Sequence, residues 1–153
     1  MRKTVVAVLA CTVAVVLPSV HGFAQSGDRI DEILVQDELT VGSAAYLAAA
    51  SAGLVGPDAT EAESLSALGE LGFPAGTVAI DDPVRLDHFS YMLMLAHRLS
   101  GGFMYAIAPG PRYAYREFRY QRVFRGGGDP RSAIDGSLAM RMTGRVVVLA
   151  GEE

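Results

Sequence analysis

Residues 86–99 read Leu86-Asp87-His88-Phe89-Ser90-Tyr91-Met92-Leu93-Met94-Leu95-Ala96-His97-Arg98-Leu99. Leu86, Phe89, Met92, Leu93, Ala96 and Leu99 recur every three or four residues, the period of a helix with one buried stripe. The spacing predicts a helix over 86–99, ended by Gly101-Gly102. Further along, Pro109-Gly110-Pro111 is a break, and Pro111 suits the first turn of a helix over 111–125, which Gly126-Gly127-Gly128 would end. After Asp129-Pro130 a final helix is expected over 135–147, with a short strand at Val146-Val147-Val148-Leu149 as the alternative.

Upstream, Pro74, Gly76 and Pro83 make 73–85 an extended connection, with strand-like residues around Val78. Thr60 and Glu63 form a T-x-x-E capping box that opens a helix over 61–71, and Gly72 stops it. Thr40 is the N-cap of a small-residue helix over 41–52, with Gly53 past its end. Residues 25–38 are a polar lead-in, either mobile or a short first helix around Ile30, Ile33, Leu34 and Val35. The fold class is therefore mainly α, a small helical-repeat bundle over 39–149. Its expected core is Leu47, Leu65, Leu68, Phe89, Leu93, Ala96, Phe118 and Leu138.

The whole chain has 153 residues, 50% of them hydrophobic and 20% charged, which excludes wholesale disorder and a fibrous repeat. Its start is different in kind. Met1-Arg2-Lys3 is basic, and Thr4 to Val20 is apolar apart from Thr4, Thr12, Pro18 and Ser19. Gly22-Phe23-Ala24 then supplies small residues for cleavage before Gln25, the order of a secretory signal peptide over 1–24. A retained anchor is the alternative, because about 17 apolar residues is the lower limit for spanning a bilayer. A lipoprotein site at Val8-Leu9-Ala10-Cys11 is disfavoured by the apolar sequence that continues after Cys11.

Removing 1–24 takes away the only Lys and the only Cys, leaving no disulfide and no thiolate metal site. The remaining 129 residues carry 11 arginines against 17 acids, a net of −6. That charge is split: residues 25–90 sum to −10 and residues 91–153 to +4. Such a division points to an electrostatic role, between the halves or towards a partner.

Val41-Gly42-Ser43-Ala44-Ala45-Tyr46-Leu47 loosely matches Leu86-Asp87-His88-Phe89-Ser90-Tyr91-Met92 at an offset of 45. A third, truncated copy opens about 48 residues later, at Ile134-Asp135-Gly136-Ser137-Leu138. Repeats of this length are stacked helical pairs sharing one core. The segment Gly72-Phe73-Pro74-Ala75-Gly76-Thr77-Val78, followed by Asp82-Pro83-Val84 and by Phe89 in the next helix, resembles the S-layer homology repeat. That family's pattern is a helix ending in Gly, a loop of the form G-x-P-D-G-x-F-x-P-x-x-P-V-T-R-A-E-F, and a second helix. The resemblance covers about 55 residues in its best copy, and two to two-and-a-half copies loosely cover 39–149. It implies the fold of that family. Its glycan-binding Thr-Arg-Ala-Glu motif is missing: those positions read Arg85-Leu86-Asp87-His88 here, and Thr40-Val41-Gly42-Ser43 in the first copy.

The most unusual stretch is Arg112-Tyr113-Ala114-Tyr115-Arg116-Glu117-Phe118-Arg119-Tyr120-Gln121-Arg122-Val123-Phe124-Arg125, with five Arg and five aromatics. On a helix, Arg112, Arg116 and Arg119 share one face, and Tyr113, Tyr120 and Phe124 another. Guanidinium groups offer bidentate bonds to carboxylate or phosphate, and rings offer stacking area. The candidate binding residues are Arg112, Tyr113, Arg116, Arg119 and Tyr120. The alternative is that the rings are core and the arginines pair with the acidic half.

Catalysis has no comparable signature. His88 and His97 lie on different faces of one helix, and Asp87 beside His88 reads as a helix-start acid next to a surface imidazole. There is no H-E-x-x-H, G-x-S-x-G or phosphate-loop pattern. Asp81-Asp82 reads as a solvated loop pair without calcium-loop spacing. Gly101-Gly102-Phe103-Met104-Tyr105 is a glycine turn into an apolar strip. The expected protein is an exported, non-catalytic envelope protein of the periplasm or cell surface, with no metal and no cofactor. Its expected partner is an envelope polymer or an envelope protein, with no nucleic acid, and with membrane contact only through an uncleaved leader. An accessory-subunit role through the Arg/aromatic helix, or an unrecognised wall-active enzyme, are the alternatives. Intact-mass measurement on the native protein should find an N-terminus at Gln25; a chain starting at Met1 and sedimenting with membranes would mean a retained anchor.

Overall fold

Leu39, Val84 and Ile134 are three aliphatic residues that each stand one position before a helix N-cap, and all three are buried. The computed structural model describes residues 21–126 and 128–151. Among them are seven α-helices and no strand: α1 His21–Leu34, α2 Val41–Ser51, α3 Glu61–Glu70, α4 Leu86–Ala96, α5 Phe103–Ile107, α6 Pro111–Tyr120 and α7 Gly136–Ala150. Helix α2 pairs with α3, and α4 pairs with α6; α7 packs on α1 and α2.

The three helix openings hold one another. A helix start leaves backbone N–H groups without an intrahelical acceptor. Here Val41 and Gly42 of α2 donate to the carbonyls of Asp82 and Ile80, both at 2.8 Å. Leu86 and Asp87 of α4 donate in the same way to Ser132 at 3.0 Å and Pro130 at 2.9 Å. Gly136 of α7 donates to Gln36 at 2.9 Å, and Leu39 donates back to Ile134 at 2.7 Å. Segment 36–42 is thus bonded to 80–84, segment 85–87 to 130–132, and segment 134–136 to 36–39. The ring closes on itself. Val84 adds a bond to the Leu39 carbonyl at 2.7 Å, and isolated antiparallel bridges join Thr40 to Pro83 and Arg85 to Ala133.

Side chains complete the same three corners. Thr40 Oγ1 accepts from Ser43 N, and Asp135 Oδ1 accepts from Leu138 N at 2.7 Å. Ala44, Phe89 and Ala139, four residues into each helix, are buried in one cluster with Leu39, Val84 and Ile134, the arrangement of a hydrophobic staple. The expected capping box at Thr60 and Glu63 is formed in full. Helix α1 is tied down by Arg29, whose guanidinium donates to the Ala59 carbonyl at 2.6 Å and lies 3.7 Å from the centroid of Tyr46.

Helices α2, α3, α4 and α6 end in one way. A residue with positive φ (Gly53, Gly72, Arg98, Arg122) is followed by an apolar residue whose N–H folds back onto the helix. Leu54, Phe73, Leu99 and Val123 donate to Ala49, Leu68, Met94 and Phe118 at 2.9–3.1 Å. Two expected boundaries are therefore corrected. Helix α4 stops at Ala96 and α6 at Tyr120, before the glycine runs, because burying Leu99 and Val123 is enough to hold an arginine in the left-handed turn. The other expectations fare variously. The last helix runs on to Ala150, so 146–149 is not a strand, and 73–85 contains a 3-10 turn at Ala75–Thr77. Residues 25–34 belong to helix α1, which starts at His21, ahead of the expected cleavage point; residues 1–20 of the leader lie outside the described residues. The third repeat shifts by two: Ile134 corresponds to Val84, not to Leu86. Of the expected core, Leu138 is only half-buried, and the rest is buried.

Gly136 is where the ring is tightest. A Cβ there would overlap the carbonyl oxygen of Ile33 at the end of α1. Gly136→Ala should lower stability by about 1–3 kcal/mol, as overpacking does, although alanine is the better helix former. Phe89→Ala, which empties the centre of the core, should cost about 3–5 kcal/mol. Chemical denaturation checks both.

Candidate functional site

The turn 129–131 is pinned against the start of α4 by the bond from Asp87 N to the Pro130 carbonyl. Helix α6 packs along α4 through Ala114 and Phe118, both fully buried. Between these elements lies a cleft of about 520 Å³, lined by the N-cap residue Arg85 and by Asp87 and His88 of α4, by Arg112, Tyr115 and Arg116 of α6, and by Arg131. Four guanidinium groups and one imidazole thus face one carboxylate. That carboxylate is already satisfied: Arg85 donates through Nε to Asp87 Oδ1 at 3.1 Å and through Nη2 to Oδ2 at 2.5 Å. It is the only ion pair among the described residues.

The walls are rigid for identifiable reasons. Tyr115 is buried, donates from its hydroxyl to the Gly128 carbonyl at 2.6 Å, and stacks obliquely on Phe124. Arg112 and Arg116 are one helical turn apart, so both exposed side chains reach the same side. His88 is half-buried edge-on to Phe73, 6.1 Å between centroids. Burial holds its imidazole below the usual value; Asp87 pulls it up and Arg85 pushes it down, both by less. The cleft therefore offers donors: guanidinium forks for carboxylate or phosphate oxygens, beside a Tyr ring edge.

The five residues expected from sequence are not one site. Arg112 and Arg116 line the cleft, while Arg119 faces a separate groove with Arg122 and Arg125. Tyr113 is half-buried and lines neither, and Tyr120 is 85% exposed. The aromatic stripe of Tyr113, Tyr120 and Phe124 does not form, because Phe118 and Tyr115 take the core positions and the helix ends before Phe124. Nor do the α6 arginines pair with the acidic half. Arg85, His88 and Arg131 were absent from the sequence-derived set. Arg85 stands one residue before a helical run and next to Asp87, which is a signal, but only the ring of helix openings brings Arg131 to it. Asp87 does stand in the first turn of α4, and it is buried as the ion-pair partner of Arg85, while His88 beside it is half-buried rather than on the surface.

No family model, curated protein or solved structure matches the chain.

His97 is also held below its usual value by burial, and its Nε2 is hydrogen bonded to Ser51 Oγ at 3.0 Å, linking α4 to α2. A histidine with a depressed folded-state pKa is bound to fewer protons than in the unfolded chain, so it favours folding above its unfolded pKa and loses that contribution as pH falls. Thermal stability should therefore decline as pH drops below about 6.5, the ordinary histidine value. The His88→Gln/His97→Gln double variant should flatten that decline. An unchanged slope in the double variant would assign the acid sensitivity to other groups.

Proposed function

We propose that this is an exported, non-catalytic cell-envelope protein that binds an anionic envelope polymer in the cleft between α4, α6 and Arg131. One observation carries the reading: Arg85, Arg112, Arg116 and Arg131 converge on one cleft whose only carboxylate already has its partner. Uncompensated guanidinium groups in a concave, half-apolar setting suit repeated carboxylate or phosphate groups on a chain. The resemblance to the S-layer homology repeat supports an envelope location, and the leader supports export. In that reading the ligand contacts shift away from the Leu86 position to the two α6 arginines, which the family motif does not include.

A protein interface is the second reading, favoured by a separate feature. Phe103 is 78% and Ile107 63% exposed on α5, beside α6, and Tyr120 stands out from α6 itself. An accessory subunit of an envelope assembly would cover such side chains.

Arg112→Gln/Arg116→Gln/Arg119→Gln should weaken cosedimentation with purified wall polymer by about tenfold or more per cleft arginine, the worth of one hydrogen bond to a charged group. Folding should be nearly intact, since none of the three makes an ion pair among the described residues and only Arg119 approaches a ring, 5.9 Å from the Tyr115 centroid. Binding should weaken as salt rises, because exposed charges are screened beyond roughly 10 Å at 0.1 M. Polymer binding that ignores salt and the triple substitution would take the polymer away from this cleft, and no binding to wall polymer at all would end the polymer reading. Capture of one defined envelope protein, lost on Phe103→Ser/Ile107→Ser, would support the interface instead.

A further inference from the structure

The far end of α6 carries a second basic surface, distinct from the cleft. After α6 the chain turns through Arg122 with φ 57° and brings Arg122 and Arg125 opposite Arg141 and Arg145 of α7. Val123 and Phe124 form the floor between them. Arg119 joins the rim on one side. On the other side Arg141 and Arg145 line a further hollow of about 550 Å³ with Val148 and Leu149. No aspartate or glutamate lines any of these three hollows, and none of the five arginines has an ion-pair partner among the described residues. Arg122 occupies a left-handed position that glycine fills without steric cost.

The apolar content of the surface separates the possible ligands. Arg141, Gly144, Arg145 and Val148 follow at i, i+3, i+4 and i+7, so two guanidinium groups and a valine share one outward face of α7, with Leu149 beside them. Val148 is 61% exposed, and Leu149 next to it is half-buried. A soluble inorganic anion gains nothing from exposed aliphatic side chains beside its guanidinium partners. A lipid surface uses both kinds of group: guanidinium groups reach phosphates while short aliphatic side chains enter the interfacial layer. The charge division of the chain acts in the same sense, since residues 25–90 sum to −10 and these arginines all lie in the positive part. A molecule so polarised presents its basic end to an anionic surface.

We propose that the groove between Arg122, Arg125 and α7 docks on an anionic phospholipid membrane, with Arg141 and Arg145 on the headgroup phosphates and Val148 and the exposed edge of Leu149 in the interface. This contact is independent of the leader and of the polymer cleft. The test is cosedimentation of the full chain with vesicles of phosphatidylcholine alone and of phosphatidylcholine mixed with phosphatidylglycerol. Arg141→Gln/Arg145→Gln should reduce partition onto the mixed vesicles roughly thirtyfold, from the usual contribution per basic side chain near an anionic bilayer. Its partition onto phosphatidylcholine should not change, which separates the effect from any binding by the leader. Arg141→Lys/Arg145→Lys should keep wild-type partition, because a diffuse lipid surface reads charge rather than fork geometry. Arg112→Gln/Arg116→Gln should keep it too, so failure of the polymer cleft and failure of this surface are read separately. Equal partition of wild type and Arg141→Gln/Arg145→Gln onto the mixed vesicles overturns the proposal. So does loss of binding in the lysine variant, or inorganic tripolyphosphate bound through these arginines by a protein that ignores the vesicles, which would mark a site for a soluble anion.

Discussion

The hydrogen bonds given by the first amides of α2, α4 and α7 to carbonyls of a neighbouring connection are what the rest of the structure depends on. Those N–H groups have no acceptor within their own helix, and burying them unsatisfied would cost about 1–3 kcal/mol each. Each opening solves the problem by taking a carbonyl from another segment: α2 from 80–82, α4 from 130–132, α7 from Gln36. Because every connection both leads into one helix and serves another, three local needs make one ring. Leu39, Val84 and Ile134 fill it, which turns a row of amides into a core.

The ring also positions the charge. It presses the turn at Pro130 against α4 and so sets Arg131 opposite Arg85 and His88, while the α4 and α6 pairing sets Arg112 and Arg116 on the third side. Asp87 is the one carboxylate drawn in, and Arg85 occupies it. The remaining arginines of α6 and α7 stay outside, where a guanidinium group keeps its hydration and costs the fold little. A surface with this much unpaired positive charge does not arise from core packing. It is what gives the basic half of the chain two separate faces, a concave one between α4 and α6 and another at the far end of α6 that continues onto Val148 of α7.

Helix endings show how a local rule is overridden. Gly53 and Gly72 sit where the sequence places helix ends, and both adopt positive φ. Gly101 and Gly126 look equally suited to follow α4 and α6, yet Arg98 and Arg122 make the left-handed turns that end those helices, and Gly126 takes its own positive φ only four residues later. The left-handed conformation costs a non-glycine residue about 1–2 kcal/mol, and burying Leu99 or Val123 offsets that. Glycine identity is visible in a sequence; the depth of the pocket waiting for the next apolar residue is not. The same reasoning explains the aromatic residues of α6. Five rings in fourteen residues cannot all reach the core from one helix, and shortening the helix sent Phe124 inward by a different path while Tyr120 was left outside.

By itself the sequence determined five of the seven described helices (α2, α3, α4, α6 and α7, not the apolar strip that forms α5), the caps at Thr40 and Thr60, most of the core, the existence of a repeat and the segregation of charge. These follow from interactions within a few residues, or from composition, and a linear pattern records both. Only the tertiary structure decided the register of the third repeat, the helix formed by residues 25–34, and the division of Arg112, Arg116 and Arg119 between two surfaces. Each of those depends on contacts between separate segments, from 19 residues apart for Arg122 and Arg141 to 100 for Gln36 and Gly136. The bond from Gly136 to Gln36 and the approach of Arg131 to Arg85 have no local signature, because their partners are chosen by closure of the ring and not by neighbours in the chain.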